Sequence, residues 1–224
     1  MSRTARLSAV LAAAVVIGLA LAFLVVEYLL AGPPTVAFAA TAGQPVNLTL
    51  QADPVNSQRQ RPDWVSYFVK SPGGDWVRST LWQLPAATKV NVTIESYDTC
   101  TPLRNPIWGQ ITGTDGGTAT IDGKATSTVD SWGACGPGHT FSIPDLGINI
   151  PLVGISPTDT KICKDAPCKA TDPHHTIAFS FTTPSAPGDY RWQCFIPCGL
   201  GFLDGNGGPM STIGYMTGFI KVVA

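Results

Sequence analysis

The chain has 224 residues, of which 44% are hydrophobic and only 13% charged, with 14 basic and 15 acidic side chains leaving a net charge of −1. That apolar share is ample for a packed core and excludes wholesale disorder, and balanced charge without a long like-charge run excludes the footprint of a nucleic-acid binder. Glycine (23) and proline (19) are abundant, which together with Val, Ile, Thr and aromatics favours strands and turns over long helices.

Residues 7–26 carry no charge and a single hydroxyl. A helix of that length, at about 1.5 Å rise per residue, spans one bilayer core of about 30 Å. Arg3 and Arg6 precede it, so the positive-inside rule keeps the N-terminus cytoplasmic and sends the remainder outward. The rival reading is a cleaved signal peptide with Ala37-Phe38-Ala39 as cleavage site. The apolar run exceeds the usual ~7–15 residues of a signal core, which favours the retained anchor. Either way the rest of the chain lies outside the cytoplasm, membrane-attached in the first case and secreted in the second. The expected organisation is a stub with anchor or signal over 1–31, a linker over 32–41 around Pro33 and Pro34, and one domain over 42–224.

Short apolar or alternating runs follow at 45–50, 64–70, 89–96, 140–143, 176–181, 190–194 and 217–223, separated by turn clusters such as 71–75 and 184–188. That spacing predicts an all-β sandwich or barrel, with a hairpin about 184–187 joining 176–181 to 190–194. A stretch rich in Gly, Thr, Asp and Ser at about 99–137 reads as a long inserted loop. Asn47 and Asn91 match the glycosylation acceptor pattern but sit inside expected strands, where acceptors are poor.

The six cysteines sort by position. Cys100 and Cys135 bracket the insertion, and Cys163 and Cys168 bracket a short turn, so each pair is expected to bridge locally. Cys194 and Cys198, spaced C-x3-C, are left as either a third disulfide or a pair of thiolates for a soft metal.

The surroundings of that last pair carry a resemblance. His139-Thr-Phe141-Ser-Ile-Pro144-Asp-Leu146-Gly147 and Gly188-Asp-Tyr190-Arg-Trp-Gln193-Cys194-Phe-Ile-Pro-Cys198-Gly199 resemble the two ligand loops of the copper-binding (CuA-type) domain of cytochrome c oxidase subunit II, a cupredoxin. The ending from Met216 to Val222 resembles the methionine-containing end of plastocyanin-type cupredoxins. The resemblance implies a cupredoxin-like antiparallel Greek-key β-sandwich behind a single transmembrane helix. It also implies one or two copper ions, with His139, Cys194 and Cys198 as ligands and Ile196 offering its backbone carbonyl. The family's second histidine falls at the position of Phe202, so a replacement has to come from His174 or His175. Strand parity about the expected hairpin selects His175, on the side of Ile177, Phe179 and Phe181. Met210 and Met216 compete for the weak axial position, with Met216 favoured by its context.

The expected function is a membrane-anchored copper protein carrying single electrons, without turnover of its own, to or from a redox protein or respiratory oxidase at the same membrane face. The alternatives are a Cu(I) carrier or insertion protein, and a metal-free module with Cys194 and Cys198 bridged.

Overall fold

The structure, a computed structural model, describes residues 2–26, 32–41, 43–54, 64–101, 105–130, 135–198 and 208–224. Phe202, and with it the question of what fills the family's second-histidine position, lies outside these residues. The chain divides into two units, Met1–Gly32 and Pro33–Ala224.

The first unit is one helix, α1 (Arg3–Leu24), begun by Ser2, whose hydroxyl accepts from the Ala5 N–H. It is long and apolar enough to cross a membrane, and none of its side chains is buried within the protein.

The second unit is built of strands. In chain order they are β1 (Thr35–Ala37), β2 (Val46–Asp53), β3 (Ser66–Lys70), β4 (Trp76–Val77), β5 (Leu81–Pro85), β6 (Lys89–Ser96) and β7 (Ala119–Ile121). There follow β8 (Lys124–Thr126), β9 (Pro137–Ile143), β10 (Ile148–Val153), β11 (His175–Thr182), β12 (Gly188–Gln193) and β13 (Thr217–Val223). They form two sheets, ordered β1-β5-β13-β12-β9-β10 and β4-β3-β2-β6-β11-β7-β8. Period-two alternation turns Leu48 and Leu50 of β2, Val92 and Ile94 of β6, and Ile177, Phe179 and Phe181 of β11 into the core. From the other sheet come Trp82, Phe141, Ile143, Trp192, Ile220 and Val222. Trp82 and Trp192 stack at 4.8 Å, and Phe141 lies 5.4 Å from Trp192. This is the β-sandwich behind one apolar helix that the sequence leads one to expect.

Three details differ. Pairing is mixed, because β1 with β5, β5 with β13, and β2 with β6 run parallel. These partners are not joined by hairpins; the chain changes sheets between them, which allows either direction. The hairpin about 184–187 does not form: β11 pairs with β6 and β7, whereas β12 pairs with β13 and β9, so this turn crosses from one sheet to the other. Finally, the inserted stretch is not all loop. It holds the hairpin β7–β8, turned at Asp122-Gly123, both with positive φ (49° and 79°), and β7 extends the sheet beyond β11. The expected linker likewise supplies β1.

Both local disulfides are present, Cys100–Cys135 with Cα atoms 5.1 Å apart and Cys163–Cys168 with Cα atoms 5.7 Å apart. Cys194 and Cys198 are free thiols.

Candidate metal centre

His139 alternates with Phe141 and Ile143 along β9 and so faces inward, almost fully buried. Cys194 directly follows β12 in the same parity as Trp192, and it too points in, with no exposed surface. Its backbone N–H donates to the Met216 carbonyl at 2.9 Å, and the next N–H, of Phe195, donates to Thr140 Oγ1 at 2.9 Å. These bonds tie the loop to β9 on one side and to the segment entering β13 on the other.

The loop then turns so that Cys198 Sγ lies 3.2 Å from Cys194 Sγ. His139 Nδ1 is 3.1 Å from Cys198 Sγ and 3.8 Å from Cys194 Sγ. These three are one of two groups, among the described residues, whose donor atoms lie close enough together to hold a metal ion. The other includes the bridged Cys163 and Cys168, whose sulfurs are already committed to each other. The Ile196 carbonyl sits between the thiols, 2.8 Å from Cys198 Sγ and 3.4 Å from Cys194 Sγ. Met210 adds a soft donor, its Sδ accepting from the Cys198 N–H at 3.4 Å. Met216, also fully buried, meets the site through its main chain.

Two candidates behave differently. His175 does not join the cluster; its Nδ1 is 2.7 Å from Asp122 Oδ2, and the Thr176 N–H donates to the same carboxylate. The reason is the missing hairpin: with β11 and β12 in different sheets, the register that aimed His175 at the cysteine loop does not exist. His174 packs its ring on Tyr97 at 4.7 Å.

Two residues not singled out in the sequence belong to this site. Asp98 Oδ2 lies 2.9 Å from His139 Nε2, on the ring edge opposite the thiols. The signal for it was parity: Val90, Val92, Ile94 and Ser96 of β6 are buried in alternation, and Asp98 continues the series. Tyr67 of β3 is fully buried, edge-on to Trp192 at 4.8 Å, and its hydroxyl has no partner among the described residues.

The electrostatics are those of a buried ion pair. Burial by itself would raise the Cys194 thiol, but hydrogen bonds with Cys198 and His139 and the imidazolium charge hold it well below the usual thiol range. Burial, then the hydrogen bond and charge of Cys194, push Cys198 up. Burial disfavours the His139 imidazolium, yet hydrogen bonds to Asp98 and Cys194 outweigh it and lift the ring to about 10. Asp98 is held below the usual carboxylate range by His139 against the opposing effect of burial. In the metal-free site these influences all favour negative charge on Cys194 and Asp98 and positive charge on His139 between them.

The insertion covers the loop. Its short 3-10 turn Pro106–Gly109 lays Trp108 flat on Phe195, with ring planes 5° apart and centroids at 5.0 Å. Phe195 lies between the two cysteines in sequence, so this stack packs the insertion against the ligand loop.

No family profile and no curated protein matches the chain. Among solved structures, rusticyanin from Thiobacillus ferrooxidans is similar at 16% identity over 84% of this chain and 82% of that one, with a TM-score of 0.33. A chain of a heme-copper terminal oxidase dimer is similar at 14% identity over 99% of this chain and 100% of that one, also with a TM-score of 0.33. Likeness at this level carries no functional weight, and the donor set itself bears on function.

Proposed function

We propose that this protein is a cupredoxin-like copper carrier of single electrons. The observation that carries this reading is the buried convergence of His139 Nδ1 with two unbridged thiols 3.2 Å apart, in a chain whose other four cysteines are oxidised. Thiolate and thioether are soft donors suited to Cu(I), and imidazole serves both copper oxidation states. The residues therefore fit copper: His139, Cys194 and Cys198 would hold it, with Met210 and the Ile196 carbonyl as weaker neighbours and Met216 anchoring the loop.

Copper bound there would supply one-electron redox chemistry. The chain's contribution is rigidity and dryness. β9 fixes His139, the bonds to Met216 O and Thr140 Oγ1 fix the cysteine loop, and all three donor residues are buried. A donor set held in this way changes little between oxidation states, which keeps the reorganisation accompanying electron transfer small.

The finer reading is a subunit II-like protein anchored by α1, with its domain on the extracytoplasmic face and a respiratory oxidase or other redox protein as partner. It is supported by the two ligand-loop motifs, by Arg3 and Arg6 ahead of the apolar helix, and by two disulfides, which persist in oxidising compartments. A Cu(I) carrier is the second reading. It is favoured by the position of His175, which leaves one histidine with the two cysteines among the described residues.

Purified full-length protein, loaded with copper in detergent, decides between them by metal analysis and visible absorption. Stoichiometric copper with an intense thiolate-to-copper(II) band is the expected result. Bound but colourless copper that resists oxidation selects the carrier. Protein that takes up no copper under reducing conditions refutes both.

A further inference from the structure

We propose that Asp98 is a positioning residue for the metal centre, fixing the His139 ring so that Nδ1 faces the two thiols. This rests on the copper reading above and names a part of the site that its motifs do not contain. Asp98 Oδ2 holds Nε2 at 2.9 Å, and the ring's remaining nitrogen is then the one 3.1 Å from Cys198 Sγ. Metal-ligating histidines are commonly oriented in this way by a carboxylate on the far nitrogen.

The carboxylate is itself held. Its Oδ1 accepts from the Thr99 N–H at 2.7 Å and faces the Thr99 hydroxyl at 3.4 Å. The backbone from 98 to 100 forms a strap across the ends of β9 and β10: Ile155 N–H donates to Asp98 O at 2.9 Å, and Cys100 N–H donates to Ile155 O at 3.0 Å. Two glycines permit so close an approach. A Cβ on Gly138, the residue before His139, would fall on the Thr99 carbonyl oxygen, and one on Gly154 would fall on the Cys100 backbone nitrogen. The Cys100–Cys135 disulfide then closes the strap onto the strand that carries the histidine. The strap, both glycines and the bridge thus hold the segment that carries Asp98 close against the strand that carries His139.

The test compares Asp98→Ala and Asp98→Asn with the unmodified full chain, loaded with Cu(I) in detergent. The readouts are copper(I) affinity against a competing chelator, the reduction potential at fixed pH, and 1H–15N spectra of the His139 ring. In the unmodified protein the ring is expected to show a protected Nε2–H. Asp98→Ala should lose that signal and bind copper roughly 10–100-fold more weakly. Asp98→Asn, whose amide oxygen still accepts from Nε2–H, should keep the signal and most of the affinity. Its potential should rise, since a negative charge favouring the oxidised metal is gone. A folded Asp98→Ala with unchanged affinity, potential and ring signal overturns the proposal, as does an unchanged potential in Asp98→Asn should the alanine variant not fold. If the unmodified chain binds no copper, the functional reading fails. The positioning role is then still judged in metal-free protein, where the ring signal either depends on Asp98 or does not.

Discussion

Replacing Asp53 by asparagine should flatten the pH dependence of stability between pH 5 and pH 7. Asp53 ends β2 with no exposed surface, and neither carboxylate oxygen has a hydrogen-bond partner among the described residues. Burial is the largest influence on it; the nearby Cys168 backbone N–H, short of hydrogen-bonding geometry, partly offsets it, and the charges of Glu95, Asp98 and Asp172 oppose ionisation further. Its pKa is pushed up to about 8 from 3.8. The folded state therefore holds a proton that the unfolded chain releases above pH 4. A group raised in this way contributes its full stability below the unfolded value and loses it as pH climbs toward the folded one. Each pH unit in that window costs about 1.4 kcal/mol, so two units cost roughly 3 kcal/mol. Asparagine stays neutral throughout, and the difference between the two proteins cancels the contributions of His139 and Cys194. Urea unfolding of both proteins in the same detergent at several pH values measures that difference. Parallel curves for the two, with no divergence toward pH 7, would show that Asp53 is ionised in the folded protein and refute the reasoning.

Cys194→Ser and Cys198→Ser should each remove the visible copper band and most bound copper, whereas His175→Ala should leave metal content and spectrum unchanged, since its ring is engaged with Asp122. Tyr67→Phe removes a buried hydroxyl without a partner among the described residues and should stabilise the metal-free protein by about 1 kcal/mol, read from its thermal midpoint. Gly154→Ala places a Cβ on backbone rather than on a yielding side chain, and should destabilise by roughly 1–3 kcal/mol in denaturant titration. Opening the Cys100–Cys135 bridge, which spans 35 residues, by a double serine variant should cost about 2–4 kcal/mol, and a variant as stable as the parent would show that the bridge does not constrain the unfolded chain.

What could be read in the sequence was whatever depends on neighbours along the chain. The strands at 89–96 and 217–223 have the bounds that alternation gives, because each presents one apolar face to the core. Both disulfides follow from the loops they bracket, and His139, Cys194 and Cys198 meet because their motifs sit at strand ends that the sandwich brings together. The misplaced residue, His175, depended on which sheet receives each strand. Local pattern is the same for a hairpin and for a crossover, so parity was right and the partner strand wrong. Asp98 was hidden for a related reason: its partner His139 lies 41 residues away, beyond an insertion whose closure only the disulfide and two glycines reveal.

The free thiol pair also bears on how the protein is made. Cys194 and Cys198 sit 3.2 Å apart, the first held well below the usual thiol range, in a chain whose other two pairs are bridged. A thiolate so near a second thiol is half of a disulfide already, and the oxidant that closes the outer bridges does not distinguish among pairs by purpose. On the copper reading proposed above, maturation is a race between copper delivery and oxidation at this loop, with a reductant needed to reset the loser. Protein produced without copper should carry a third bridge, detectable by mass spectrometry as the loss of both thiol hydrogens, and should take up copper only after reduction. If copper-starved protein retains both thiols, their burial protects them, and the order of assembly does not matter.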